Sequence, residues 1–321
     1  MADITMGVVI IGRNEGERLR TCLASVLPAT SAVVYVDSGS TDGSVAMAQL
    51  MGADVLSLDM GQPFTAARAR NAGFRRLLTL HPQLRFIQFV DGDCEVVSGW
   101  LEAAQRHLET HTDSAVACGR RRERFPERSI FNRMCDLEWD TPVGEALSCG
   151  GDALVRVEAL RQAGGYRDSL IAGEEPELCL RIRRNGWTVH RLDLEMTRHD
   201  AAITRWSQWW KRTVRAGHAF AEGASLHGAS PDRHWVKETR RAVLWGLVLP
   251  MGIVCSALLL EGSFGWLALI YPLQWVRLAI RDGSGLTAFF SLAGKFAEAQ
   301  GVLKFCVTRL LGRTGRLIEY K

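Results

Sequence analysis

The chain has 321 residues, long enough for one large α/β domain with a buried core plus an appendage. Its 39 Lys and Arg against 35 Asp and Glu give a formal net charge of +4, and the basic residues are spread over several segments, which argues against nucleic acid as a partner. Eight cysteines (Cys22, Cys94, Cys118, Cys135, Cys149, Cys179, Cys255 and Cys306) form neither a CxxC pair nor a ladder of spacings, a pattern unlike a zinc site or disulfide framework and suited to a reducing cytoplasm.

The amino terminus, MADITMGVVIIGRNEG, has no basic n-region and no small-residue cleavage site ahead of its short apolar run, so residues 8–11 are predicted as a first strand. That strand runs into GRNEGERL, and residues 17–26 follow as an amphipathic helix with Leu19, Leu23 and Val26 on one side. The unit repeats: residues 32–36 are predicted as a buried strand, SGSTDGS as a turn, 45–51 as a helix and 55–58 as a short strand. A fourth strand, 85–90, ends directly in DGDCE, and 100–111 reads as the next helix. Such alternation predicts a parallel sheet with helices on both faces, and it sets acidic residues at a strand's carboxyl end, where open α/β sheets bind ligands. Beyond Gly119 the periodicity weakens through RRRERFPERS, then resumes as a helix over 130–138 before the glycine-rich SCGGDALVR. Residues 175–185 are predicted helical, 187–192 return as a strand, and the globular part closes near His199.

The final third changes character. Residues 242–260, AVLWGLVLPMGIVCSALLL, carry no charge and follow the basic KETRR; as a helix they would span about 28 Å. After EGS a second apolar run, 264–276, continues to Ile280 if Arg277 snorkels. Both outer flanks are basic, so the positive-inside rule sets them and both termini on the cytoplasmic side, with the EGS turn across or within the bilayer. The alternative is a buried helical hairpin in a soluble domain, to which the shorter second run, Pro250 and Pro272 speak. Ahead of the hairpin, RWSQWWKRTVRAG combines Trp206, Trp209 and Trp210 with Lys211, Arg212 and Arg215, a mixture suited to a membrane interface. The expected organisation is a globular domain over 1–204 with an internal division near 118, an interfacial helical segment over 205–241, an apolar hairpin over 242–281 and an amphipathic basic helix over 282–321.

The sharpest local feature is Asp91-Gly92-Asp93 at the end of a hydrophobic strand, where two carboxylates can hold a hard divalent cation that bridges a diphosphate. Taken alone such a turn more often only terminates a strand. The same sheet edge, however, receives Asp37 after the second strand and Glu15 after the first, so three successive βα loops present acids to one crevice. Acids concentrated there need a cation or ribose hydroxyls.

The segments VVIIGRNEGERLRTCLASV, VVYVDSGSTDGS, AARARNAGF, FVDGDCEV and GEEPELCLRIRRNGW together resemble the ordered motifs of family 2 glycosyltransferases, over roughly residues 7–200. The resemblance implies a GT-A fold, a Rossmann-like mixed and mainly parallel sheet flanked by helices, here followed by a helical membrane-associated region. It implies inverting transfer from a nucleotide-diphosphate sugar, UDP- or GDP-linked, with Mg2+ or Mn2+ as cofactor. Carried over by position, Asp37 and Glu15 match residues that contact the nucleoside, with turn capping as the alternative; Ser38 stands where the family often has a second aspartate. Arg70 and Asn71 match positions facing the nucleotide. Asp93 matches the direct metal ligand, Asp91 a ribose or water-mediated contact, and His199 a further metal ligand found in some members. Glu175 matches the base that takes the acceptor's proton, with Glu174 and Glu177 as competitors and favourable charge at a helix amino terminus as the alternative. Gly150, Gly151 and Asp152 match an acceptor loop, which makes 119–204 the acceptor half.

Arg120, Arg121, Arg122 and Arg124 are candidates to hold phosphates of a lipid-linked acceptor, or simply a solvated loop. The segment around Gln208 lacks the tryptophan of the QxxRW element, since Thr213 follows Arg212, so single addition is expected rather than polymerisation. The expected function is sugar transfer to a glycan or polyprenyl-linked acceptor in envelope or exopolysaccharide synthesis, at the cytoplasmic side of the inner membrane. The alternatives are an inactive nucleotide-sugar-binding protein and a nucleotidyltransferase, the second disfavoured by the absence of a glycine-rich phosphate loop near the first strand.

Overall fold

The structure, a computed structural model, describes residues 4–229, 231–259 and 265–312. It divides into two compact units, Met1–Thr204 and Arg205–Lys321.

In the first unit the apolar runs form fully buried strands. Val8, Val9 and Ile10, and likewise Val34, Tyr35 and Val36, are wholly enclosed, as expected of parallel strands covered on both faces. The parallel half consists of β1 (Met6–Gly12), α1 (Glu17–Val26), β2 (Val33–Asp37), α2 (Ser44–Leu50), β3 (Asp54–Ser57), α3 (Ala66–Leu80) and β4 (Phe86–Asp91). The remainder follows as β5 (Cys94–Val96), α4 (Trp100–Thr110), β6 (Ser114–Glu123), α5 (Ile130–Glu138), β7 (Gly144–Glu145), β8 (Ala153–Arg156), α6 (Val157–Gln162), α7 (Glu174–Arg184) and β9 (Thr188–His199). Among the described residues these make one mixed sheet in the order β3-β2-β1-β4-β8-β6-β9-β5, with β7 paired to β9. It is parallel through β3-β2-β1-β4, whereas β8 runs antiparallel to both β4 and β6.

Two departures from the sequence expectation bear on the site. Residues 120–123, read as irregular, are the last residues of β6, and β9 continues to His199 instead of stopping near 192. The two are mutual partners, with Arg121 opposite Thr197 and Glu123 opposite His199. Charged side chains hide the strand pattern there, and each finds an ion partner. Arg120 and Arg122 both reach Asp136, Arg120 also reaches Asp140, Arg122 reaches Glu195 at 3.0 Å, and Arg124 pairs with Glu95. The arginine run is therefore neither a solvated loop nor a free phosphate clamp.

Helix α3 is seated on the sheet by the absence of a side chain. A Cβ on Gly73 would collide with Val9 and would lie 2.9 Å from Val36, so only glycine lets this helix lie flat on β1 and β2. At its start Thr65 caps the helix by accepting from the Arg68 N–H at 3.1 Å.

The second unit is helical: α8 (Trp206–His227), α9 (Val236–Val243), a π-helical turn (Leu244–Val248), α10 (Leu249–Leu259), a 3-10 turn (Gly265–Leu269), α11 (Ile270–Asp282) and α12 (Gly285–Leu310). Helices α8 and α12 touch through Gly217 and Gly301, each set against the other helix's backbone. Residues 236–259 form one continuous 24-residue helix that, by length and composition, is able to cross a membrane; its mean hydropathy reaches 2.2 and 6% of its most apolar window is buried. It is the one such helix among the described residues, and the described part of the second run is divided between the 3-10 turn and α11. The π turn precedes Pro250, whose missing N–H disturbs the regular α ladder. The EGS turn and residues 313–321 of the expected basic helix lie outside the described residues.

Gly73→Ala is expected to lower the stability of the first unit by about 1–3 kcal/mol through overpacking, measured as a reduced urea midpoint by intrinsic fluorescence.

Candidate active site

Strand β1 has β2 on one side and β4 on the other, which opens a crevice at their carboxyl ends. The register sets Gly12 opposite Asp37 and Ile11 opposite Asp91. Glu15 follows β1, pairs with Arg18 at 2.7 Å, and lies over the DGD turn, where a Cβ on Gly92 would come 3.3 Å from the Glu15 Cγ. The Asp37 carboxylate is nearly enclosed: it accepts from the Tyr35 hydroxyl at 3.0 Å and from the N–H groups of Gly39 and Ser40 at 2.9 and 3.0 Å. Within the chain, then, Asp37 caps the turn after β2.

Arg70, the fifth residue of α3 and only 2% exposed, stands at the centre of the site. Its Nη1 donates to Glu174 at 2.8 Å and lies 2.9 Å from Glu175, while Nη2 lies 2.9 Å from Asp91. Burial opposes the charge of Arg70, and the carboxylates of Glu175, Asp91 and Glu174 more than restore it, so its pKa is raised. A second guanidinium, Arg121 of β6, reaches Asp91 at 3.2 Å and Asp152 at 2.7 Å. For Asp91, burial would raise the pKa, but Arg70 and then Arg121 reverse this and hold it below the usual carboxylate value.

Two guanidinium groups thus serve four carboxylates. The negative excess falls on Glu175. Desolvation and the adjacent Glu174 push its pKa up to about 7, against the opposing pull of Arg70. Glu174 is the more enclosed of the two, with side-chain exposure of 5% against 13% for Glu175. Glu177 points elsewhere, into ion pairs with Arg181 at 2.6 Å and Arg167 at 3.2 Å.

Asp152 is fully buried rather than displayed on a turn. It accepts from the Asp91 N–H at 3.0 Å and the Thr197 hydroxyl at 2.6 Å, so its oxygens are committed to holding β4, β8 and β9 together, and the expected bond to sugar hydroxyls gives way to this. Gly151 is glycine for a related reason: a Cβ there would lie 2.7 Å from Arg70 Nη2 and 2.8 Å from Asp91 Oδ2. Asn71, expected to face the nucleotide, instead staples the loop before α7. Its Nδ2 donates to the Tyr166 carbonyl at 2.7 Å and to Asp168 at 2.6 Å, and its Oδ1 accepts from the Tyr166 N–H at 2.9 Å. Arg70 likewise turns both of its Nη groups to carboxylates, not to open space.

Asp93 and His199 meet because β5 pairs antiparallel with the end of β9, with Cys94 opposite His199. His199 Nε2 lies 3.2 Å from Asp93 Oδ2, and its ring meets the Trp139 edge at 4.9 Å. Asp93, Cys94 and His199 are all buried and offer ligand atoms within 4.8 Å of one another. A carboxylate and an imidazole suit a hard to borderline divalent cation. The thiol is a softer donor and suits such a cation less; burial, then Asp152, pushes the Cys94 pKa above its usual value. Sequence reasoning missed Thr197, Trp139 and Tyr166 and read Arg121 only as one of an arginine run; the signal that separates it is its alternation with Arg120 and Arg122, which points it to the opposite sheet face.

Residues 7–160 match the family model described as glycosyl transferase family 2. The chain is 27% identical over 243 residues to the pre-mycofactocin glycosyltransferase of Mycobacterium tuberculosis, covering 72% of this chain and about half (49%) of the length of that relative. It is 24% identical over 288 residues to the succinoglycan biosynthesis protein ExoA of Rhizobium meliloti, covering 82% of this chain and 85% of the relative. Its fold is similar to that of the mannosyltransferase PcManGT from Pyrobaculum calidifontis, solved with GDP-Man and Mn2+, at a TM-score of 0.63 and 16% identity over 94% of this chain and 87% of that one. A GT-A fold and an acid-lined crevice at the carboxyl ends of β1, β2 and β4 accompany this match of residues 7–160 to glycosyl transferase family 2.

Proposed function

We propose that the chain transfers a hexosyl or N-acetylhexosaminyl group from a UDP- or GDP-linked sugar to an acceptor hydroxyl, with inversion and one sugar per encounter. The observation that carries this reading is Glu175, a partly open carboxylate with a pKa near neutrality, held on the same guanidinium as Asp91 of the DGD turn. A base whose proton affinity matches the working pH is efficient at proton removal.

In the proposed reaction the acceptor oxygen attacks the anomeric carbon, its proton passes to a Glu175 carboxylate oxygen, and the bond from the anomeric carbon to the diphosphate oxygen breaks with its electron pair leaving on the nucleoside diphosphate. Asp93 and His199 would hold Mg2+ or Mn2+, which offsets the charge growing on that leaving group. Glu15 and Asp37 border the nucleoside end of the crevice. Arg70 and Arg121 keep Asp91 ionised and fix its two oxygens, and Asp152 and Gly151 let both guanidinium groups approach it. Glu174, the more enclosed neighbour, keeps the pKa of Glu175 high.

Residues 1–204 form the catalytic part in this reading, and the helical remainder holds it at the cytoplasmic face of the inner membrane, with 236–259 as the inserted segment. An acceptor that is lipid-linked or part of an envelope or exopolysaccharide fits that setting, and the similarity to the succinoglycan biosynthesis protein ExoA supports it.

Asp93→Ala and Glu175→Gln are each expected to reduce transfer by on the order of 10²–10⁴-fold with unchanged far-UV circular dichroism, measured with UDP- and GDP-sugars and Mn2+ across an acceptor panel; full activity in either variant rejects the site. Donor binding with no transfer by the wild type favours an inactive binding protein, and pyrophosphate release from a nucleoside triphosphate favours a nucleotidyltransferase. Because the base must be ionised, kcat/KM is expected to rise with pH to a plateau with an apparent pKa of about 7 and to fall in acid, and the limb should vanish from the residual activity of Glu175→Gln. Gly151→Ala should displace Arg70 from Asp91 and lower kcat by at least about tenfold, read in the same assay. Chelation of divalent ions should abolish transfer, and added Mn2+ or Mg2+ should restore it.

A further inference from the structure

In the helical unit, Lys237, Arg240 and Arg241 follow one another along α9 at spacings that bring them to a common face. Together with Arg233, Val236 and Leu244 they line a groove of about 430 Å³. The acids nearest in sequence, Asp232 and Glu238, do not line it, and the four cations form no side-chain hydrogen bond or ion pair among the described residues. A cationic groove without an internal counterion favours an anion from outside.

The rest of the helix narrows which anion. From Leu244 the same stripe continues through Val248, Met251, Val254 and Leu258, residues three or four apart and 44, 53, 55, 53 and 77% exposed. No charge interrupts it from residue 242 to residue 259. The groove therefore stands at the polar end of a bare apolar track. A free phosphate would satisfy only the groove, and a neutral lipid only the track. An amphiphile with an acidic head and acyl tails satisfies both.

We propose that this groove binds the headgroup phosphate of an anionic membrane phospholipid, whose acyl chains lie along the Leu244 to Leu258 stripe. The proposal rests on the membrane reading above and adds to it a selectivity for headgroup charge. It assigns Lys237, Arg240 and Arg241 to lipid recognition and leaves them out of the transfer chemistry.

The test uses the full chain in neutral detergent, titrated with short-chain phosphatidylglycerol, short-chain phosphatidylcholine and inorganic phosphate. Phosphatidylglycerol should bind at least about tenfold more tightly than the other two, and K237Q/R240Q/R241Q should lose most of that preference, since each basic side chain near an anionic headgroup is worth about a fivefold factor. Sugar transfer in detergent and the circular dichroism spectrum of the triple variant should match the wild type. Equal affinity for phosphatidylcholine, equal affinity for inorganic phosphate, or an unchanged preference in the triple variant each overturns the proposal. The underlying reading fails separately: a wild-type chain that stays monodisperse with neither detergent nor lipid is not membrane-held, whereas a detergent-requiring chain without headgroup preference overturns the lipid site alone.

Discussion

The guanidinium of Arg70 is the one group on which the first unit's chemistry depends. It is buried on α3, yet it reaches α7 through Glu174 and Glu175 and the end of β4 through Asp91. A lone buried cation is costly, so the fold surrounds it with carboxylates. The converse matters as much. Because the carboxylates outnumber the guanidinium groups, one of them must hold a proton more tightly than it would in water. Burial and the adjacent Glu174 make that group Glu175, the more open of the two glutamates.

The two ends of the crevice are built by different means. Glu15, Asp37 and Asp91 arrive together because parallel strands end together, a property of the βα repeat itself. Asp93 and His199 are separated by more than a hundred residues and meet only because a three-residue strand, β5, returns to pair with the end of β9. Arg121 and Thr197 join through the same long strand pair. One end is thus specified by local repetition, and the other by distant antiparallel closure.

That difference explains what was legible in the sequence. Apart from α3 and β5, the strands and helices up to residue 110 follow from apolar runs and amphipathic spacing, and the acids ending β1, β2 and β4 stand out because they interrupt those runs. Helix 130–138 was visible for the same reason. The closing strands were not: β5 has three residues, and the outer part of β6 is a run of arginines whose partners lie far away in the chain. Residue type alone also misjudged direction. Asp152 looks like an ordinary turn acid and is fully buried, and Asn71 looks like a ligand contact and holds a loop by three hydrogen bonds. Neither hydrogen-bond commitments nor the unequal enclosure of Glu174 and Glu175 has a one-dimensional signature.

Strand β9 carries Thr197 and His199 on one face, two residues apart, the first fastened to Asp152 and the second beside Asp93. Since alternate side chains point to opposite faces, inserting or deleting one residue ahead of Thr197 would send both outward and bring Met196 or Arg198 into the crevice. Substitutions at exposed positions of this strand leave that alternation intact. The strand is consequently a ruler: it tolerates variation in spelling, but a change of a single letter in its length erases both anchors at once.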